Sequence, residues 1–416
     1  MSDRLKRILF ISFFVVLVAG IAVGLYFAFF RPTISPTITE PGGTGTISDG
    51  TGGALPSSGA ASGQGGTSGT GGTGALPGAG TVPGASGSAT TQPLRTAILV
   101  ESVSQAIAPT ADGTGARFYN PIDGKFYRAY PDGRVVAMSD TAFKNVEQVN
   151  WGNTSDQAIL SFPDGSKVHY DFQSQKQSTL PKHWEDFDFS TDDRSIVAKS
   201  DAISPESRYL LVADPDGKNP RAVQPLGENG DKVHSAWTGN NAIVAYSETG
   251  EALGYDRQQI VLLGQNKENF RGLVVEGRGF MPLWSPSGQK ILYSAWTVDG
   301  DYKPELWVSG GSPDNVNQNR VKLELQTWAD KCAWANDELI YCAVPLNMPR
   351  GAGLQPSLFS SLEDHVMRID LATGMKSDLG QPDGNPSMRN LVVTKDGTEL
   401  IYTDSATGKL YAFRID

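Results

Sequence analysis

A short turn-and-strand unit recurs through the C-terminal three-quarters of this 416-residue chain, and it restricts the fold more than any other feature. Its turns read Phe162-Pro163-Asp164-Gly165-Ser166, Ser190-Thr191-Asp192-Asp193-Arg194, Asp214-Pro215-Asp216-Gly217-Lys218, Trp284-Ser285-Pro286-Ser287-Gly288-Gln289 and Thr394-Lys395-Asp396-Gly397-Thr398. Short alternating runs follow several of them: Ser195-Ile196-Val197-Ala198, Lys290-Ile291-Leu292-Tyr293-Ser294 and Glu399-Leu400-Ile401-Tyr402-Thr403. Asp, Asn and Gly tolerate the positive φ that tight turns need, so Asp-Gly between apolar runs signals hairpins. Innermost strands are expected near Val149–Trp151, Phe187–Phe189, Val233–Trp237, Met281–Trp284, Cys332–Trp334 and Leu391–Val393. They are spaced roughly 40–60 residues apart, the period of a four-stranded propeller blade.

One more unit precedes these, built from Arg117-Phe118-Tyr119, Lys125-Phe126-Tyr127-Arg128 and Val135-Val136-Ala137-Met138. The last unit, Leu391 to Ile415, shows only three strands, and Thr96–Val100 is left over to supply its fourth. Such closure leaves no open sheet edge. The expected fold is an all-β, seven-bladed β-propeller over residues 96–416, with six blades as the alternative if the first and last units are one.

The segment Trp284-Ser-Pro-Ser-Gly-Gln-Lys-Ile-Leu-Tyr-Ser294 resembles the repeat signature of the TolB-type, WD-repeat-like β-propellers, with weaker copies at 189–198 and 393–403. The resemblance covers most of residues 100–416. It implies architecture, and it transfers no catalytic residue because the same repeat serves assembly factors and gating propellers alike.

Upstream the chain changes character twice. Residues 8–30 form an apolar run without Asp, Glu, Lys, Arg or His, preceded by Arg4, Lys6 and Arg7. As a helix it would rise roughly 35 Å, enough to cross a ~30 Å hydrocarbon core. The basic residues lie on its N-terminal side, so residues 1–7 are expected in the cytoplasm and the rest outside. A cleaved signal would have a shorter apolar core ending in small residues. This run instead closes on Leu25-Tyr26-Phe27-Ala28-Phe29-Phe30, so an uncleaved signal-anchor in the cell membrane is expected. Residues 31–95 are Gly, Ser, Thr, Ala and Pro with four charges, too little apolar surface to offset ordering entropy, and they read as a disordered tether.

Chemistry is sparse in the head. No Gly-x-Ser-x-Gly elbow is present, so a prolyl-oligopeptidase-type hydrolase is not expected. His169, His183, His234 and His365 lack zinc-ligand spacing, and no metal site or cofactor is expected. Asp214–Asn219 lacks the full ligand set of a calcium loop and reads as a hairpin turn. Cys332 and Cys342, the only cysteines, flank a short hairpin. With a three-residue loop centred on Asp337 they would lie opposite each other, within disulfide reach. An extracytoplasmic address favours that bond over two free buried thiols. Residues 96–416 carry 42 acidic against 30 basic residues, which argues against nucleic acid as a partner.

The best site candidates are loops leading into innermost strands, which crowd around one mouth of a propeller's channel. They hold His183, Trp184, Lys232, Arg278, Phe280, Trp328, Asp330, Lys331 and Arg389. Aromatic residues mixed with Arg and Lys are hot-spot types, although the same aromatics also suit the seams between blades. A long insertion at 345–363, including Met348-Pro-Arg350-Gly-Ala-Gly353, is a second candidate, placed to cap the channel. The expected function is a non-catalytic module binding a protein or an envelope polymer. The alternative is a glycan lyase or hydrolase working in the channel, which would need carboxylates such as Glu185, Asp231 and Asp330 to converge at ~5–9 Å.

Overall fold

The computed structural model describes residues 95–416, together with Gly20. The anchor expected at 8–30 and the tether up to residue 94 therefore lie outside the described residues. Among those described, no helix is long and apolar enough to cross a membrane.

Seven four-stranded antiparallel sheets succeed one another along the chain. Their innermost strands are Gln105–Pro109, Gln148–Trp151, Trp184–Phe189, Val233–Ser235, Arg278–Trp284, Cys332–Asn336 and Met388–Val393, for blades 1 to 7. Blade 7 is completed from the other end of the head: Thr96–Val100 pairs antiparallel with Leu410–Arg414, with Thr96 opposite Phe413 and Ala97 opposite Ala412. Seven blades closed by this strand agree with the sequence pattern, and the six-bladed alternative falls.

One strand escaped that pattern. Blade 1 shows three strands in the sequence, and its fourth is Gln105–Pro109, the innermost. That stretch has no turn signal ahead of it, ends in Pro and places Ala106 at φ +51° inside a bulge.

Packing closes the ring independently of the hydrogen bonds. Each seam between neighbouring blades holds its own apolar core. Phe126, Ala158 and Leu160 join blades 1 and 2. Leu180, Trp184 and Phe189 join blades 2 and 3, and Ile401, Leu410 and Phe118 join blades 7 and 1. Every fully buried Leu, Ile or Phe contributes about 1.5–3 kcal/mol, so no seam is left as a weak point.

Because the strands of each blade run up and down in turn, the loops divide between two faces. The upper face carries the loops into each innermost strand and those between second and third strands. The lower face carries the loops after each innermost strand. Backbone bonds between loops of one face fit this division: Asp201 N–H to His183 O at 2.7 Å and Ser405 N–H to Ser387 O at 2.7 Å above, Lys395 N–H to Gly113 O at 2.8 Å below.

Cys332 and Cys342 are bonded as a disulfide, directly opposite in register on adjacent strands. The turn differs from the expected one: Asn336 faces Leu339 across the two residues Asp337 and Glu338, and a shift in register between Trp334 and Asn336 keeps the cysteines aligned.

Candidate binding face

Bulges shape the inner wall. The innermost strands of blades 1, 3, 5 and 7 each slip register near their upper end. The residues at positive φ there are Ala106, Asp186, Gly279 and Asn390. An extra residue interrupts the in-out alternation, so period-two counting along the sequence fails where side chains meet the channel.

The expected site residues separate into two groups. Trp184, Phe280 and Trp328 are buried, and the first two serve the seams. Trp184 belongs to the core of blades 2 and 3. The Phe280 ring stands edge-on to Tyr246 at 5.5 Å. Trp184, Arg278, Phe280 and Arg389 also lie within innermost strands rather than in the loops before them. Arg278 is half-buried and committed: its guanidinium donates to Tyr255 O at 2.7 Å and Gly254 O at 2.8 Å, tying the 248–256 loop to blade 5. His183, Lys232, Asp330 and Arg389 remain exposed on the upper face.

Lys331 and its neighbour Asp330 have opposite fates. Lys331 is buried, and its ammonium donates to both carboxylate oxygens of Asp364, at 2.7 and 2.6 Å. Asp364 in turn accepts Met388 N–H at 2.7 Å, so the pair ties blade 6 to the start of blade 7. Burial pushes the Asp364 carboxyl up and the Lys331 ammonium down, each opposed by the other's charge. Asp330 keeps an open surface, yet protein on several sides displaces much of its water. That desolvation raises its carboxyl above the usual range, against the pull of Lys331 and Arg389.

Two carboxylates that the sequence reading passed over stitch the inner wall. Asp186 accepts Ser235 N–H at 2.8 Å and Asp188 accepts Trp237 N–H at 2.6 Å, both across the seam of blades 3 and 4. Desolvation pushes Asp188 up to about 7, with the nearby Asp186 and Asp193 charges adding to it. Alternation along Asp186-Phe187-Asp188 gave no signal for them, because the bulge at Asp186 interrupts it.

The long insertion is fastened sideways. Gly351 N–H donates to Asp301 O at 2.9 Å and Gly353 N–H to Tyr302 O at 2.8 Å. A Cβ on Gly353 would stand 2.8 Å from the Trp296 side chain, and one on Gly279 would stand 2.6 Å from its indole nitrogen. The absence of a side chain at both glycines lets the innermost strand of blade 5 and the insertion of blade 6 meet around one indole. A cavity of about 560 Å³ lies between blades 5 and 6, away from the mouth residues, with Val308, Leu323, Ile369 and Leu371 in its lining. Among the described residues, no three His, Cys, Asp or Glu side chains gather as a metal site would require.

Comparison with solved structures places this architecture among propellers. The chain is similar to an oligogalacturonate lyase in complex with manganese, with a TM-score of 0.53 and 13% identity over 77% of this chain and 93% of that one. An oligogalacturonate lyase from Vibrio parahaemolyticus gives 0.51 and 12% over 77% and 93%. The β-propeller domain of Myceliophteria thermophila Cps50 (Swd1) gives 0.51 and 11% over 77% and 100%. What is shared is the fold. No protein-family model and no curated protein matches the chain.

Proposed function

We propose that this protein is a single-pass, membrane-anchored propeller whose head lies outside the cytoplasm and acts as a non-catalytic binding or scaffold module of the cell envelope. The anchor reading is supported by the uncharged run at 8–30 with Arg4, Lys6 and Arg7 ahead of it. The binding reading is supported by the upper face, where His183, Lys232, Asp330 and Arg389 stay exposed above a closed seven-seam ring. Its ligand class is a protein or an envelope polymer.

Photo-cross-linking from full-length chain in intact cells tests this reading. A photoreactive residue at position 232 or 389 is expected to give discrete adducts, while one at Lys218 on the lower face gives none. Adducts absent from every upper-face position would overturn it.

The two lyases among the fold neighbours favour a second reading, an enzyme acting on acidic glycans in the channel. Against it, the carboxylates such an enzyme would use sit beside cations. Glu185 lies 3.6 Å from Lys199, and the charges of Lys331 and Arg389 oppose the desolvation that raises the Asp330 carboxyl. Chain cleavage of polygalacturonate by the purified protein, abolished by Asp330→Asn, would establish the second reading over the first.

A further inference from the structure

Exposed apolar side chains are distributed unevenly over this head. Fourteen large hydrophobic residues are exposed among the described residues. Nine of them sit on loops of the upper face, four on outermost strands, and only Met375 on a lower loop. Six of the nine cluster on blades 4 to 6: Leu253, Tyr255, Val298, Leu346, Leu354 and Leu358, with Tyr255 and Leu358 each 69% exposed. Scattered apolar residues need no explanation, but a one-sided concentration does.

The three loops that carry them, 248–256, 297–304 and 346–363, are hooked into one surface. Arg278 holds the first through Gly254 O and Tyr255 O. Gly351 and Gly353 join the third to the second through Asp301 O and Tyr302 O. Ser387 Oγ donates to Ser360 O at 2.6 Å and fixes the far end of the insertion. The leucines are therefore presented on braced backbone. Around them the same three loops hold six carboxylates, Glu248, Glu251, Asp256, Asp299, Asp301 and Glu363, against the two cations Lys303 and Arg350.

From this combination we infer that the rim of blades 4 to 6 docks a protein surface that presents apolar side chains bordered by Lys and Arg. The inference rests on the binding-module reading and moves the footprint from the channel mouth to the rim. Charge selects the occupant. An anionic lipid surface and a second copy of this acidic face would both meet six carboxylates with like charge, whereas a basic partner is attracted to the border while its apolar residues cover the leucines.

A synthetic amphipathic Leu/Lys helix is the probe, added to full-length chain held in a nanodisc of neutral lipid. Binding is expected to weaken with salt, and Leu354→Ser with Leu358→Ser together should weaken it about tenfold or more. Met375→Ser should leave it unchanged, whereas replacing the helix lysines by Glu should abolish it. Probe cross-links are expected in 248–256, 297–304 and 346–363. Three outcomes overturn the inference: affinity indifferent to the double variant, vesicles of phosphatidylglycerol bound through the same leucines, or self-association that Leu358→Ser abolishes. If cellular adducts from position 232 persist while the double variant binds the probe normally, the rim inference fails and the module reading stands.

Discussion

Lys331 and Asp364 meet as a buried ion pair, two hydrogen bonds of 2.7 and 2.6 Å between side chains almost wholly removed from water. Both charges were desolvated to form it, so the pair adds less than its Coulomb attraction suggests, but breaking it strands a charge. Lys331→Met leaves Asp364 uncompensated and is expected to cost about 3–5 kcal/mol in urea unfolding. Adding Asp364→Asn, which keeps an acceptor for Met388 N–H, should recover most of that loss. An additive double variant would mean the two side chains do not act as a pair.

Reduction of the Cys332–Cys342 bond is expected to lower stability by about 2–3 kcal/mol, because the closed loop is short and removes modest entropy from the unfolded chain. Under denaturing, non-reducing conditions the protein should titrate no thiol. Two reactive thiols would show that the strands are aligned but unbonded.

Asp188 should give the head an unusual pH dependence. Its folded carboxyl titrates at about 7 against an ordinary value of 3.8, so the folded state holds the proton more tightly than the unfolded one. The associated stability is fully present below about pH 4 and is lost as pH rises through 7, by at most about 4 kcal/mol. Asp188→Asn cannot ionise and should flatten the decline measured by thermal melts between pH 5 and 8. A wild-type curve already flat there would place the carboxyl in its ordinary range.

Leu99 and Val100, 7% and 8% exposed, anchor the closing strand in the core between blades 7 and 1. Replacing both by Ala is expected to cost about 3–6 kcal/mol and to expose the edge of the Leu410–Arg414 strand. Sedimentation should then show association that the parent protein lacks at the same concentration.

The hairpins were legible because their turns are chemical statements: Asp164-Gly165, Asp216-Gly217 and Asp396-Gly397 take positive φ at each glycine, although they fall between different pairs of strands in blades 2, 3 and 7. Even the closing strand Thr96–Val100 could be read as unpaired. The first innermost strand was not legible, since Gln105–Pro109 owes its place to the ring and not to local pattern. The site was legible in part. Trp and Arg are hot-spot types by composition, yet Trp184 and Trp328 are buried, and Arg278 is held by two carbonyls. Bulges at Asp186, Gly279 and Asn390 decide which side chains reach the axis, and no period marks them. Asp186 and Asp188 were missed because their partners, Ser235 and Trp237 N–H, are backbone groups 49 residues away in sequence.

Completing blade 7 with residues 96–100 also imposes an order of events during biogenesis. The strand made earliest in the head has no partner until residues 410–414 exist, so six sheets can form in sequence while the ring stays open. Until then the edge at Thr96–Val100 and the half-built core around Leu99 are available to any other strand nearby. Synthesis and closure of this head are thus separated in time, and the interval before the two ends meet is when a chaperone has something to hold.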